Sequence, residues 1–162
     1  MKGKRIAFTL LVILCVCMIF LFSHQNGIKS ESISDGFTIK LIEVYSKITK
    51  KEILEERKEE LVIIMRNFVR KSAHFTIYLL LGIFVYGSLL SYGVKHAFIY
   101  SILFCFLYAC TDEVHQLFVS DRTGRVFDVF LDTCGAFVGS SFFNLFKTDK
   151  KCHLLSKKSL TL

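Results

Sequence analysis

The stretch AHFTIYLLLGIFVYGSLL, from Ala73 to Leu90, runs 18 residues without an Asp, Glu, Lys or Arg. An α-helix rises 1.5 Å per residue and a bilayer's hydrocarbon core is about 30 Å thick, so roughly 20 apolar residues cross it. A soluble helix of that length would keep a polar face, whereas this one is apolar nearly all round. The stretch therefore predicts a membrane span.

Three other runs repeat the pattern: Ile6 to Phe22 with 17 residues, Val94 to Thr111 with 18, and Val126 to Phe146 with 21. Lys95 and His96 fall in the first turn of the Val94 run, where a long side chain can snorkel to the interface. The first run follows Lys2, Lys4 and Arg5. It is longer than a signal-peptide core and lacks a small-residue cleavage pattern, so an uncleaved helix is expected. The fold class predicted is an all-α integral membrane protein with four transmembrane helices, plus one or two amphipathic helices in the long first loop, residues 23–72. A single membrane domain is expected over residues 1–147, with a basic cytoplasmic tail over 148–162.

The composition agrees. Of 162 residues, 52% are hydrophobic, with 17 Phe and six Tyr, which excludes a disordered chain, and the length suits one domain. Five of the six cysteines (Cys15, Cys17, Cys105, Cys110 and Cys134) lie in apolar runs, Cys152 sits in a Lys-rich tail, and no CxxC pair occurs. Neither a disulfide framework nor a cysteine zinc framework fits that distribution; buried small hydrophobes do.

The first loop holds eight of the 14 acidic residues. Phe37, Leu41, Val44 and Ile48 recur at helical spacing, as do Leu61, Ile64, Met65 and Phe68. Ser34 or Asp35 is the expected cap of the first helix, and the second is expected to run into the span at Ala73. The cluster EILEERKEE, Glu52 to Glu60, pairs acids and bases as a solvated helix face does.

Lys2, Lys4, Arg5, Lys95, Lys147, Lys150, Lys151, Lys157 and Lys158 fall on one side of a four-span arrangement, which favours both termini in the cytoplasm. The opposite side collects the polar chemistry: Ser23, His24 and Gln25; Arg70, Lys71 and His74; DEVHQ from Asp112 to Gln116; then Arg122, Gly124, Arg125, Asp128 and Asp132. Helical spacing groups these into stripes, Arg70–His74–Tyr78, Tyr108–Asp112–His115 and Arg125–Asp128–Asp132–Gly135–Gly139. An acid at Asp132 argues for a partner, the available cations being Arg70, Arg122, Arg125 and His74. Gly135 and Gly139 form a GxxxG pattern that lets another helix approach closely, either within the chain or in a second copy.

The strings RKSAHFTIYLLLG (Arg70–Gly82) and DEVHQLFVSDRTGRVFDVFLDTCGAFVG (Asp112–Gly139), with FSHQNGIKSESIS (Phe22–Ser34), resemble the signature regions of the VanZ-like membrane proteins. The resemblance implies a small polytopic bacterial membrane protein, with a prototype linked to reduced teicoplanin susceptibility. It carries over Arg70, Lys71, His74, Tyr78, Gly82, Asp112, Glu113, His115, Gln116, Arg122, Gly124, Asp128, Gly135 and Gly139. Ser120 and Asp121 depart from a frequent Pro-Gly, implying a different turn before the last span. Asp132 stands where Asn is frequent, which argues against a shared mechanism requiring a carboxylate there.

Two functional classes follow. In the first, the polar cluster is a structural network or a docking site for a cell-wall precursor, and the protein acts in the envelope or in glycopeptide resistance without catalysis. In the second, a membrane-embedded hydrolase acts on a lipid-linked cell-wall precursor by general acid/base or metal-assisted chemistry, with His74, Asp112, Glu113, His115 and Asp128 as candidate catalytic groups. Arg70, Lys71, His74, Gln116, Arg122 and Arg125 are the candidate ligand-binding residues. No metal ligand set and no cofactor are assigned. Partners are membrane lipid and either such a precursor or a glycopeptide target; scattered basic charge argues against nucleic acid. A transporter fits poorly, since no Pro-broken helix or repeat is present.

Overall fold

A computed structural model describes residues 2–50 and 53–159, with side chains to residue 146. Glu52, the Lys residues of the C-terminal tail and Cys152 therefore lie outside the described side chains. Five helices follow in order: α1 (Lys2–Ser23), α2 (Gly27–Thr49), α3 (Glu55–Ser91), α4 (Ala97–Gln116) and α5 (Val126–Ser159). There are no strands among the described residues. Helices α1, α3, α4 and the Val126–Phe146 part of α5 are each long and apolar enough to cross a membrane.

The core follows the packing logic of a membrane bundle. Inside lie Cys105, Ala109, Ala136, Ser101 and Ser140, while Ile6, Leu10, Leu14, Leu21, Ile99, Phe130 and Leu145 face outward. Lipid is as apolar as these side chains, so helices gain most from small residues that bring backbones close. The most extensive contact, between α3 and α5, shows this directly. A Cβ added at Gly82 would lie 2.3 Å from the Ala136 oxygen, and one at Gly139 would lie 2.0 Å from the Leu79 oxygen. The Ser140 hydroxyl donates to the Gly82 carbonyl across the crossing at 3.1 Å. The GxxxG stripe is thus used inside the chain.

Several expected details differ. The helix of the first loop starts at Gly27, capped by Asn26, whose side chain accepts from the Lys29 N–H at 2.9 Å. Ser34 is instead a buried mid-helix residue whose hydroxyl donates to the Ser30 carbonyl. The face Phe37, Leu41, Val44 and Ile48 is exposed; α2 meets α3 through Ser34, Thr38 and Ile42 and through Arg66, which pairs with Glu31 and Asp35. The Leu61–Phe68 segment is continuous with the span, making α3 37 residues or about 55 Å long. Helix α4 begins at Ala97 rather than Val94 and runs past Thr111 through Gln116, so DEVHQ forms its last turn, as the Tyr108–Asp112–His115 spacing implied. Of the cysteines, Cys15 and Cys105 are buried, but Cys17 and Cys134 face outward.

The turn before α5 keeps a glycine-like backbone despite its sequence, since Asp121 has φ 60°. Short polar side chains tolerate that left-handed region better than bulky ones. Ser120 accepts a hydrogen bond from the Gly27 N–H at 3.0 Å, and a Cβ on Gly27 would collide with Asp121 at 2.0 Å. This contact ties the start of α2 to the α4–α5 turn.

Candidate functional site

The ends of α1 and α4, the start of α5 and the middle of α3 converge at one end of the bundle, and their polar residues meet there. At the centre is Asp112, buried on α4. Its Oδ2 accepts from the Ser23 hydroxyl at 2.9 Å and from Gln116 Nε2 at 3.1 Å. Both donors are buried, so the carboxylate is held in one orientation. Glu113, its neighbour, accepts from the Arg125 backbone N–H at 2.7 Å. That satisfies a donor at the start of α5 and complements the helix dipole. One turn further, Asp128 is paired with Lys71 of α3.

Arg122 is also committed. Its guanidinium donates to the Gln25 and Phe22 carbonyls at 2.9 and 2.7 Å, which closes the C-terminal end of α1. Burial, and then nearby Arg70, push this guanidinium below its ordinary pKa, against the opposing pull of Asp112 and Glu113. Arg70 and Arg125 differ: neither side chain forms an ion pair among the described residues. Arg70 makes a single long contact, 3.3 Å, to Asn67.

His115 is not brought to this centre. Its ring stacks on Phe20 and His24 of α1 at centroid distances of 5.0 and 5.5 Å, and it borders neither cavity described below. The other candidates do converge. Arg70, Lys71, His74, Glu113, Gln116, Arg122, Arg125 and Asp128 all line one polar cavity of about 260 Å³.

Three residues outside the candidate set matter as much. Ser23 orients Asp112. Asp132 is 1% exposed, and its Oδ1 has no hydrogen-bond partner among the described residues; the Tyr78 hydroxyl, 0% exposed, has none either. None of the cations suggested as partners for Asp132 forms an ion pair with it. Asp132 is six residues past Val126, about 9 Å along α5, where an acid costs less than the roughly 2.5–3.5 kcal/mol of the bilayer centre but, buried and unpaired, still calls for a partner. Spacing carried the signal for two of them: Tyr78 is one turn past His74, and Asp132 one turn past Asp128.

His74, Asp112 and Asp132 each bring a ligand atom within 4.8 Å of the others, so these three could hold a metal ion. No hydrogen bond joins any two of them among the described residues.

A second, larger cavity of about 590 Å³ opens between α1, α2 and α3, lined by Ile19, Phe22, Phe37, Leu41, Phe68, Ile77 and Leu80 among others. That volume is typical of small-molecule sites. Arg70, His74 and Arg122 border both cavities, so the apolar one adjoins the polar one at a wall that carries two guanidinium groups.

Four apolar helices, with a charged cavity beside a greasy one at one end of their bundle, define a small polytopic membrane protein. The chain matches the VanZ/LLP1 family over residues 8–147 and belongs to that family. No curated protein matches it, and no solved structure does.

Proposed function

We propose that this protein works in the cell envelope by holding an anionic, phosphate-bearing amphiphile such as a lipid-linked cell-wall precursor. The tail lies in the apolar cavity and the head group in the polar one. The observation carrying this reading is the shared border of the two cavities at Arg70, His74 and Arg122. A guanidinium binds phosphate through paired N–H groups, and Arg70 and Arg125 are uncommitted to any described carboxylate. The nine basic residues that the four-span order puts on the opposite side support cytoplasmic termini and an outward-facing site. Teicoplanin-type drugs act outside the membrane on cell-wall precursors, so sequestering or masking a precursor there is a route to resistance.

The test is retention of lipid by the purified chain. Native mass spectrometry after exposure to mixed micelles should show preference for long-chain phosphatidic acid over phosphatidylcholine. The double variant Arg70→Gln/Arg125→Gln should lose that preference, and Ala73→Trp, which narrows the apolar cavity, should favour shorter chains. Equal retention of both lipids by wild type would refute the reading.

A second reading is favoured by the acids and imidazole beneath the head-group cavity, which general acid/base chemistry uses. In it the bound amphiphile is hydrolysed. Release of phosphate or of a diphosphate from a prenyl-linked substrate by the purified protein, abolished by His74→Gln, distinguishes turnover from holding.

A further inference from the structure

Beneath the head-group cavity the charges sort by depth. The guanidinium groups of Arg70 and Arg122 stand at the junction with the apolar cavity, whereas the acids Asp112 and Asp132 lie buried in the helix packing. Lys71 already serves Asp128, and the Arg122 guanidinium serves the end of α1. Two buried acids therefore lie near one imidazole with no cationic side chain bonded to either among the described residues.

We infer that His74, Asp112 and Asp132 form a divalent-cation site. Their ligand atoms lie within 4.8 Å of one another without hydrogen bonds between them, the spacing of groups that face a common centre. Ligands on one ion with bonds near 2.1 Å stand about 3 to 4 Å apart, so modest side-chain adjustment brings all three into reach. Two further observations point the same way. Asp132 Oδ1 is an acceptor without a partner among the described residues at 1% exposure, and the fully buried hydroxyl of Tyr78, one turn past His74 on α3, is likewise without one. Ser23 and Gln116 both donate to Asp112 Oδ2, the kind of outer contact that orients a ligating carboxylate.

One imidazole and two carboxylates make a mixed nitrogen and oxygen set. Mg²⁺ and Ca²⁺ prefer oxygen throughout, so the set suits Mn²⁺ or Zn²⁺. Two carboxylates and a neutral imidazole balance the ion's charge. Three protein ligands also leave open positions, which face the cavity through His74 and Asp132. Filling them with head-group oxygens rests on the amphiphile reading; cation binding itself does not.

The experiment uses metal alone. Purified full-length protein in micelles is stripped with chelator, then dialysed against Mn²⁺ or Zn²⁺, and bound metal is measured by elemental analysis. A single equivalent is expected. Asp132→Asn and His74→Gln should each weaken binding at least about tenfold, and Ser23→Ala, which removes a donor to Asp112 and an acceptor for Gln116 but no ligand, about tenfold. His115→Ala, at a residue that borders neither cavity and stacks on α1, should bind as wild type does. Wild type binding well under one equivalent, or undiminished binding in Asp132→Asn and His74→Gln, overturns the site. If those variants do not fold, pulsed electron paramagnetic resonance of the Mn²⁺-loaded wild type decides: imidazole nitrogen coupling supports the site and its absence overturns it. Lipid preference is scored separately, so metal binding lost with lipid preference intact sinks only the cation site.

Discussion

Replacing Gly139 by Ala adds one methyl group where α3 and α5 cross. Its carbon would stand 2.0 Å from the Leu79 oxygen and 2.9 Å from the Leu79 carbonyl carbon, against ordinary contact at 3.4–4 Å. Neither atom can swing aside, because both belong to helix backbone. The helices must separate locally by more than an ångström, and overpacking of that kind costs about 1–3 kcal/mol. Separation also stretches the Ser140 to Gly82 hydrogen bond, now 3.1 Å, worth about 0.5–1.5 kcal/mol more. Gly36, on α2, has nothing within 4 Å of a built Cβ, so Gly36→Ala should gain about 0.5–1 kcal/mol from helix propensity. Opposite signs are thus expected from the same chemical change. Unfolding of purified variants in micelles by titration with a denaturing detergent, followed by far-ultraviolet circular dichroism, provides the assay. Equal midpoints for the two variants would refute the close-crossing argument. A change in oligomeric state at unchanged midpoint would show instead that the Gly135–Gly139 groove serves a second copy.

Further expectations follow from single contacts. Arg122→Gln removes two charge-assisted bonds to the end of α1, each worth about 1.5–3 kcal/mol, and should lower stability while exposing the Phe22–Gln25 amides to hydrogen exchange. His115→Ala should loosen α1 against α4, seen as faster exchange at Phe20 and His24, yet leave lipid preference unchanged. In a cysteine-free background in cells, Ser120→Cys should react with an impermeant thiol reagent from outside and Lys95→Cys should not; both positions are exposed at opposite ends of the bundle. The reverse pattern would place the site in the cytoplasm.

Much of the fold was legible because hydrophobic run length is a one-dimensional property. Bilayer thickness sets the length of each span, so Ala73–Leu90 announces itself without any knowledge of its neighbours. The α2 segment was harder. Its apolar spacing marks a helix, but the side that packs uses Ser34 and Thr38, while Phe37 and Leu41 border a cavity and Ile48 faces outward. Beside a membrane, apolar periodicity does not say which face meets protein. The caps misled for a related reason: Ser34 satisfies its hydroxyl on the preceding turn, a bond available to any mid-helix serine.

Chain order alone therefore determined that four apolar helices alternate across a membrane and that their polar ends must gather on one side. Only the tertiary structure decided which of those groups are committed and which are not. Glu113, Arg122 and His115 read in sequence like members of a reactive site, yet they cap α5, close α1 and stack on α1. Asp132 and Tyr78 read as the inner polar members of their stripes, yet among the described residues they are the buried groups left unpartnered. Helical spacing places residues on a face of one helix; the rotation of each helix against its neighbours, set by where glycines permit contact, decides what that face meets.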